Sequence, residues 1–158
     1  NKDRFLRKET LQGFVHDEAS AFFGGLAGNA GLFSTARDVA RVYQMLLNGG
    51  EIDGQRYLSK ETCQLFTTEI SKISRRGLGF DKPDADDPKK GNCAPAAPAE
   101  VYGHTGFTGT CAWVDPMNEL VYVFLSNRIY PDVTNRKLNQ LHIRERIQGA
   151  IYDAMKKK

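Results

Sequence analysis

The stretch Tyr102-Gly-His-Thr-Gly-Phe-Thr-Gly-Thr-Cys-Ala-Trp113 places a histidine, hydroxyls and three glycines directly before an apolar run. An imidazole at His104 can sit beside a developing anion, or tune a nucleophile and its base. The Thr105 hydroxyl can donate to a substrate carboxylate or carbonyl. Gly106 leaves room for a molecule lying against a strand edge, where a side chain would block it. The backbone N–H of Phe107 can donate to an oxyanion, an interaction worth roughly 3 kcal/mol in a transition state. Set against this chemistry is the plainer reading of His104 as a turn residue.

The remaining candidates are fewer. His16 stands beside Asp17, and a hydrogen-bonded structural His-Asp pair explains it without chemistry. His142 falls in a charged C-terminal segment and reads as a surface residue. Three histidines this far apart, with no ligand spacing, argue against a metal site. Cys63, Cys93 and Cys111 contain no Cys-x-x-Cys pair and do not form a disulfide framework. Cys63 lies in a helical pattern and Cys111 in a strand pattern, so both read as small buried fillers. Cys111 also lacks an orienting group, which argues against a thiol nucleophile.

The elements that must position these residues follow from periodicity and caps. Residues 1–34 read as irregular, and four glycines between 24 and 31 suit tight turns. That glycine run is not a phosphate loop, because Leu32 and Phe33 stand where Lys and Ser or Thr are needed. Thr35 and Asp38 form a capping box. Val39, Val42, Tyr43, Leu46 and Leu47 then recur at helical spacing, and Gly49 is placed to end the helix. Asp53-Gly54 marks a tight turn, and Ser59 with Thr62 opens a second helix. Residues 75–80, Arg-Arg-Gly-Leu-Gly-Phe, read as a short strand. Residues 82–100, rich in proline and alternating charge, read as an exposed loop.

Residues 109–115 and 119–127 read as strands joined by an Asp115-Pro116-Met117-Asn118 turn. The apolar run after Glu119 is continuous, which implies a strand covered on both faces. Leu138, Leu141, Ile147, Ile151 and Met155 make an amphipathic helix over 138–155 that can cover one of them. The fold class is therefore α+β, an antiparallel sheet flanked by helices.

Bulk properties narrow the function. The 158 residues suffice for one domain with a core. A net charge of +3, from 22 basic and 19 acidic residues, gives no argument for nucleic acid or a membrane surface. No apolar run approaches the roughly 20 residues of a bilayer span. The opening Asn-Lys-Asp-Arg-Phe-Leu-Arg is charged, unlike a signal peptide, and lacks Met, so Asn1 is expected to be a cut within a longer chain.

His104-Thr105-Gly106 resembles the third motif of the serine β-lactamase and penicillin-binding-protein family, usually Lys-Thr-Gly. The His version resembles the branch of class C β-lactamase-related esterases and peptidases. Gly24 to Gly50 resembles that branch's glycine turn and Ser-Thr-Ala-x-Asp helix. Gly103 to Arg128 resembles its motif strand, Asp-Pro turn and final strand, and Asn127 to Met155 its closing helix. The resemblance implies a partial β-lactamase/transpeptidase-like fold, without a cofactor, acting on a small-molecule or peptide substrate. It assigns His104 to the Lys position of the motif, Thr105 and Gly106 to substrate binding, and half of the oxyanion hole to Phe107. Val15-His16-Asp17 resembles a segment that runs near the site, so His16 is a further site-lining candidate. Asn29 stands where the branch would have a histidine, which argues against a ligand role there.

One departure matters. No serine is followed three residues later by Lys, and no Tyr or Ser is followed two later by Asn. Both motifs precede His-Thr-Gly in the family. Residues 1–158 are thus expected to be the C-terminal part of one β-lactamase-like domain, with the nucleophile absent and no turnover by the chain alone. A periplasmic or extracytoplasmic location is what the family implies. An open sheet edge and apolar face would favour self-association. The competing expectation is a noncatalytic module that binds cell-wall peptide or a partner, attached to another enzyme such as a glycoside hydrolase.

Overall fold

The computed structural model describes residues 2–68, 70–71, 73–87 and 91–157. Its centre is a three-stranded antiparallel sheet, β3 (Tyr102–Thr105), β4 (Cys111–Asp115) and β5 (Leu120–Phe124), in the order β3-β4-β5. It is preceded by helices α1 (Glu18–Phe22), α2 (Ala36–Leu47) and α3 (Lys60–Thr67), and by a small hairpin, β1 (Glu51–Ile52) and β2 (Gln55–Arg56). Helices α4 (Lys137–Gln140) and α5 (Ile143–Met155) follow it. The α+β class and the antiparallel sheet between helices are as the sequence indicates.

Local chemistry explains the first elements. Thr35 Oγ1 accepts from the Asp38 N–H at 3.2 Å and donates to Asp38 Oδ2 at 2.8 Å, closing the N-terminus of α2. Such a cap is worth about 1 kcal/mol. Gly49 and Gly50, at φ 67° and 95°, end the helix with N–H bonds to Leu46 and Met45 carbonyls. Asp53 and Gly54 both have positive φ, the backbone of a type I′ hairpin turn. Ser59 Oγ caps α3 by accepting from the Thr62 N–H at 3.1 Å. The Asp115 carboxylate accepts from the Met117 and Asn118 N–H groups and fixes the β4–β5 turn.

Strand β4 is central and buried along its whole length. Register pairs Trp113 with Gly103 and Tyr122, and Cys111 with Thr105 and Phe124. Alternation therefore puts these residues on one face, where Trp113 is 1% exposed and packs with Cys93, Val101 and Ile151 of α5. The opposite face is covered by α2, which lies on β4 and β5. Tyr43 of α2 meets Phe80 edge-on, and Phe80 meets Tyr102 of β3. Gly103 is required at the crossing: an added Cβ would lie 2.1 Å from the Ala112 carbonyl oxygen. Its own N–H and C=O exchange two bonds with Asp81 on the outer side, at 3.0 and 2.7 Å.

Several expectations are corrected. The segment before residue 34 is not wholly irregular: α1 forms there, capped by Asp17. Residues 75–80 form no strand, because Gly77 and Gly79 fold them into a turn closed by a Gly77 N–H bond to Phe80 O. The expected exposed loop 82–100 has no helix or strand among its described residues. It is not exposed throughout, since Lys82, Cys93 and Ala94 are buried; residues 88–90 lie outside the described set. Val42 is 55% exposed, so the sheet covers only part of the α2 apolar stripe.

The expected helix over 138–155 is two helices, broken where His142 takes a left-handed conformation. The buried stripe of α5 is Arg144, Gln148 and Tyr152 rather than its aliphatic residues. Each is tied down by a hydrogen bond. The Tyr122 hydroxyl donates to the Arg144 carbonyl, Gln148 Oε1 accepts from the Ala94 N–H, and the Tyr152 hydroxyl donates to Asp115 Oδ2.

Candidate functional site

The His-Thr-Gly motif occupies the end of β3 and the turn after it. Alternation sends His104 to the face of Tyr102 and Thr105 to the face of Cys111. The turn is closed by Gly106 N–H to Thr110 O at 2.8 Å and Gly109 N–H to Gly106 O at 3.0 Å. A Cβ on Gly106 would fall 2.2 Å from Thr110 Oγ1. Gly106 thus has a packing reason of its own.

His104 is exposed and held at both ring nitrogens. Arg76 Nη1 lies 3.1 Å from Nε2, and the Thr105 carbonyl oxygen lies 2.7 Å from Nδ1. A guanidinium only donates. Nε2 therefore carries the lone pair, and Nδ1–H donates to Thr105. The fixed positive charge at this corner belongs to Arg76. Behind it lies Asp81, 1% exposed, 3.8 Å from Arg76 and paired with Arg75 at 2.9 Å. Burial alone would raise the Asp81 pKa; hydrogen bonds from Asn92 and Arg75 outweigh it and hold the carboxyl below its usual range.

Phe107 presents three groups. Its N–H has no acceptor among the described residues, its carbonyl accepts from Arg128 Nε at 2.7 Å, and its ring is exposed. The Arg128 guanidinium lies 4.5 Å from the ring centroid, a cation–π contact. His16 stacks on the same ring at 5.5 Å and 8°. The structure thus brings His16 to the motif turn, against Phe107. Partial burial pushes the His16 pKa down, helped by the charge of Arg7, whose guanidinium binds the Val15 and His16 carbonyls.

The glycine turn is structural. Asn29 donates to Asp17 Oδ1 at 3.1 Å and accepts from Ser20 Oγ at 3.1 Å, which ties the turn to the start of α1. His142 is exposed at the α4–α5 break and remote in sequence from the motif. All three cysteines are free and buried. Burial raises Cys93 to about 12 and Cys111 to about 11, far from a reactive thiolate. Among the described residues no cluster of His, Cys, Asp or Glu could hold a metal. Among the described residues no helix is long and apolar enough to cross a membrane.

A cleft of about 520 Å³ opens beside Thr105, Gly106 and Phe107. Its other walls include Arg128, Arg136 and Arg144; His104 stands outside it, as strand alternation requires. Sequence reasoning did not single out these arginines, nor Arg76. Arg128 closes the Ser126-Asn127-Arg128 end of the final strand region, a visible but unspecific signal. Arg76 is 28 positions from His104, and no local pattern links them.

An antiparallel sheet between helices is consistent with a partial α+β, β-lactamase-like fold. A family model described as Beta-lactamase matches residues 4–145, and the chain belongs to that family. It is 36% identical over 135 residues to a protein of Escherichia coli (strain K12) named "Putative D-alanyl-D-alanine carboxypeptidase". Proteins of the same name from Salmonella agona (strain SL483) and Salmonella typhi match at the same identity and length. Each match covers 85% of this chain and 31% of the relative, so the chain spans about a third of the relatives' length.

Proposed function

We propose that this chain is the His-Thr-Gly wall of a serine hydrolase that cleaves a lactam, a D-Ala peptide or an ester through an acyl-enzyme. The observation that carries the reading is the Phe107 N–H, free of any acceptor among the described residues, on a residue that lines the same cleft as Thr105. In the reaction a serine from outside these 158 residues attacks the carbonyl carbon. The carbonyl oxygen becomes an oxyanion and accepts from Phe107 N–H, while Thr105 donates to the substrate's carboxylate. Arg76, acting beside neutral His104, supplies the positive field that Lys supplies in Lys-Thr-Gly. The leaving group departs with a proton, and water then releases the acyl group. The reaction as written uses no cofactor or metal, takes a small-molecule or peptide substrate, and suits a periplasmic or extracytoplasmic cell-wall setting.

His16 contributes by bracing Phe107. Exposed Phe22, Phe23, Leu26, Leu32 and Phe33 support self-association of the isolated chain. The test is the purified 158-residue protein with a chromogenic β-lactam and a chromogenic ester. No turnover is expected from the chain alone. Turnover abolished by His104→Ala would overturn the assignment of the nucleophile to another segment. A Ser-x-x-Lys in the full-length gene supports the hydrolase. Its absence, with peptide binding retained, supports the noncatalytic module instead.

A further inference from the structure

In an antiparallel pair, alternate residues aim both backbone groups at the neighbouring strand, and the residues between them aim both away. Gly103 is turned away from β4, because its N–H and C=O exchange bonds with Asp81 at 3.0 and 2.7 Å. Thr105, two residues on, is turned the same way. Phe107 follows in the turn, after Gly106 has bonded back to the Thr110 carbonyl.

The carbonyls of this outer row are all engaged. The Asp81 N–H donates to Gly103 O, the His104 Nδ1–H to Thr105 O at 2.7 Å, and Arg128 Nε–H to Phe107 O at 2.7 Å. The Arg128 bond is charge-assisted. The same guanidinium is also held by the Val133 carbonyl at 3.2 Å and by the Phe107 ring. The N–H groups of the row differ. Among the described residues no acceptor meets the Thr105 or the Phe107 N–H. The end of β3 therefore presents donors, while its acceptors are taken by the chain's own side chains.

A peptide that adds to a strand edge brings N–H and C=O groups in equal number, and needs both kinds of partner. Its N–H would have to share a carbonyl with a group bound at 2.7 Å, or displace that group. An N–H that loses water without gaining an acceptor weakens binding by about fivefold or more. We infer that the β3 edge selects against acyl chains carrying an amide N–H beside the reacting carbonyl, with His104 and Arg128 as the specificity-determining residues. The inference rests on the serine-hydrolase reading for the reaction it bears on. The favoured substrate class is an acyl group flanked by oxygen or carbon in place of that N–H.

The experiment titrates the 158-residue protein with a matched pair: N-acetyl-D-alanyl-D-alanine, and O-acetyl-D-lactoyl-D-alanine, in which an oxygen replaces the acetamido N–H. Both carry the same carboxylate and the same reacting carbonyl, so their ratio isolates the N–H. Calorimetry gives the affinities, and the Thr105 and Phe107 N–H signals in ¹H–¹⁵N spectra report where the ligands lie. Both signals should move with either ligand, and the oxygen analogue should bind about fivefold tighter or more. Arg128→Met frees the Phe107 carbonyl and His104→Phe the Thr105 carbonyl. At least one of these variants should cut the preference to about twofold or less, with near-UV circular dichroism confirming the fold. The inference is overturned, and the hydrolase reading left standing, if both signals move but the amide binds as tightly as the analogue. It is also overturned if both folded variants keep the full preference. If neither ligand saturates below about 10 mM or moves either signal, the hydrolase reading falls and this inference falls with it. The ratio in the unaltered protein decides the matter without either variant.

Discussion

Gly103 and Gly106 lie three residues apart on the same strand end, yet the structure gives them opposite tolerance to a methyl group. In Gly103→Ala the new Cβ would stand 2.1 Å from Ala112 O and 2.8 Å from Trp113 Cα. Both are backbone atoms of the central strand and cannot rotate away. Ordinary contact begins near 3.4 Å, so β3 would have to move by about 1 Å. Overpacking of this kind costs ~1–3 kcal/mol, and the paired bonds between Gly103 and Asp81 would weaken as well, about 1 kcal/mol each. The sum is about 3–5 kcal/mol. In Gly106→Ala the close atom is Thr110 Oγ1, at 2.2 Å, and the next neighbours sit at ordinary contact. A hydroxyl can rotate, so the cost should stay near or below about 1 kcal/mol.

Urea unfolding followed by far-UV circular dichroism and by the single tryptophan, Trp113, measures both variants. Gly103→Ala should lower the midpoint by about 2 M, and Gly106→Ala by less than about 0.5 M. Adding Thr110→Ala should erase the smaller loss. The steric argument fails if Gly103→Ala unfolds at the midpoint of the unaltered protein, or if Gly106→Ala loses as much as Gly103→Ala.

Arg76→Ala removes the donor to His104 Nε2, so the ring should leave the pure Nδ1–H state for a tautomer mixture; an unchanged ¹⁵N pattern would count against the pairing. Asp81 has a lowered folded pKa, so its stabilisation is fully present above the ordinary carboxylate pKa and is lost as pH falls through the folded value. Asp81→Asn should therefore be less stable than the parent at pH 7, with the gap closing in acid; a gap that widens in acid would refute it. Cys63, Cys93 and Cys111 should resist a disulfide reagent at pH 8 in the native protein and react in urea. Rapid native labelling would show that the burial is wrong.

What the sequence disclosed was mostly what short-range chemistry controls. Thr35 with Asp38, Ser59 with Thr62, Asp53-Gly54 and the Asp115 turn each close within four residues, and all four appear where their patterns indicate. The His-Thr-Gly stretch was picked out by family resemblance alone; the apolar pattern marked strands only at 109–115 and 119–127 and missed β3 (Tyr102–Thr105). Features settled by distant partners were not legible. The stripe Arg144, Gln148 and Tyr152 reads as polar surface, because its partners Tyr122, Ala94 and Asp115 lie 22, 54 and 37 positions away. Arg75 and Arg76 open an apparent strand, but their pairing with Asp81 and His104 belongs to a turn. α1 spans five residues and depends on Asp17, which also holds Asn29. No glycine or proline announces the break at His142.

The polar stripe of α5 bears on how the helix is oriented. Apolar packing alone would let a helix slide or roll by small amounts, because greasy contacts are nearly equivalent at neighbouring angles. Here three directional bonds, at residues 144, 148 and 152, are spaced one turn apart along about 12 Å of axis. Together they remove roll, tilt and sliding at once. The Arg144 guanidinium is thereby aimed from its backbone outward, and the direction of that charge is set by Tyr122, Ala94 and Asp115, none of which lines the cleft that it faces.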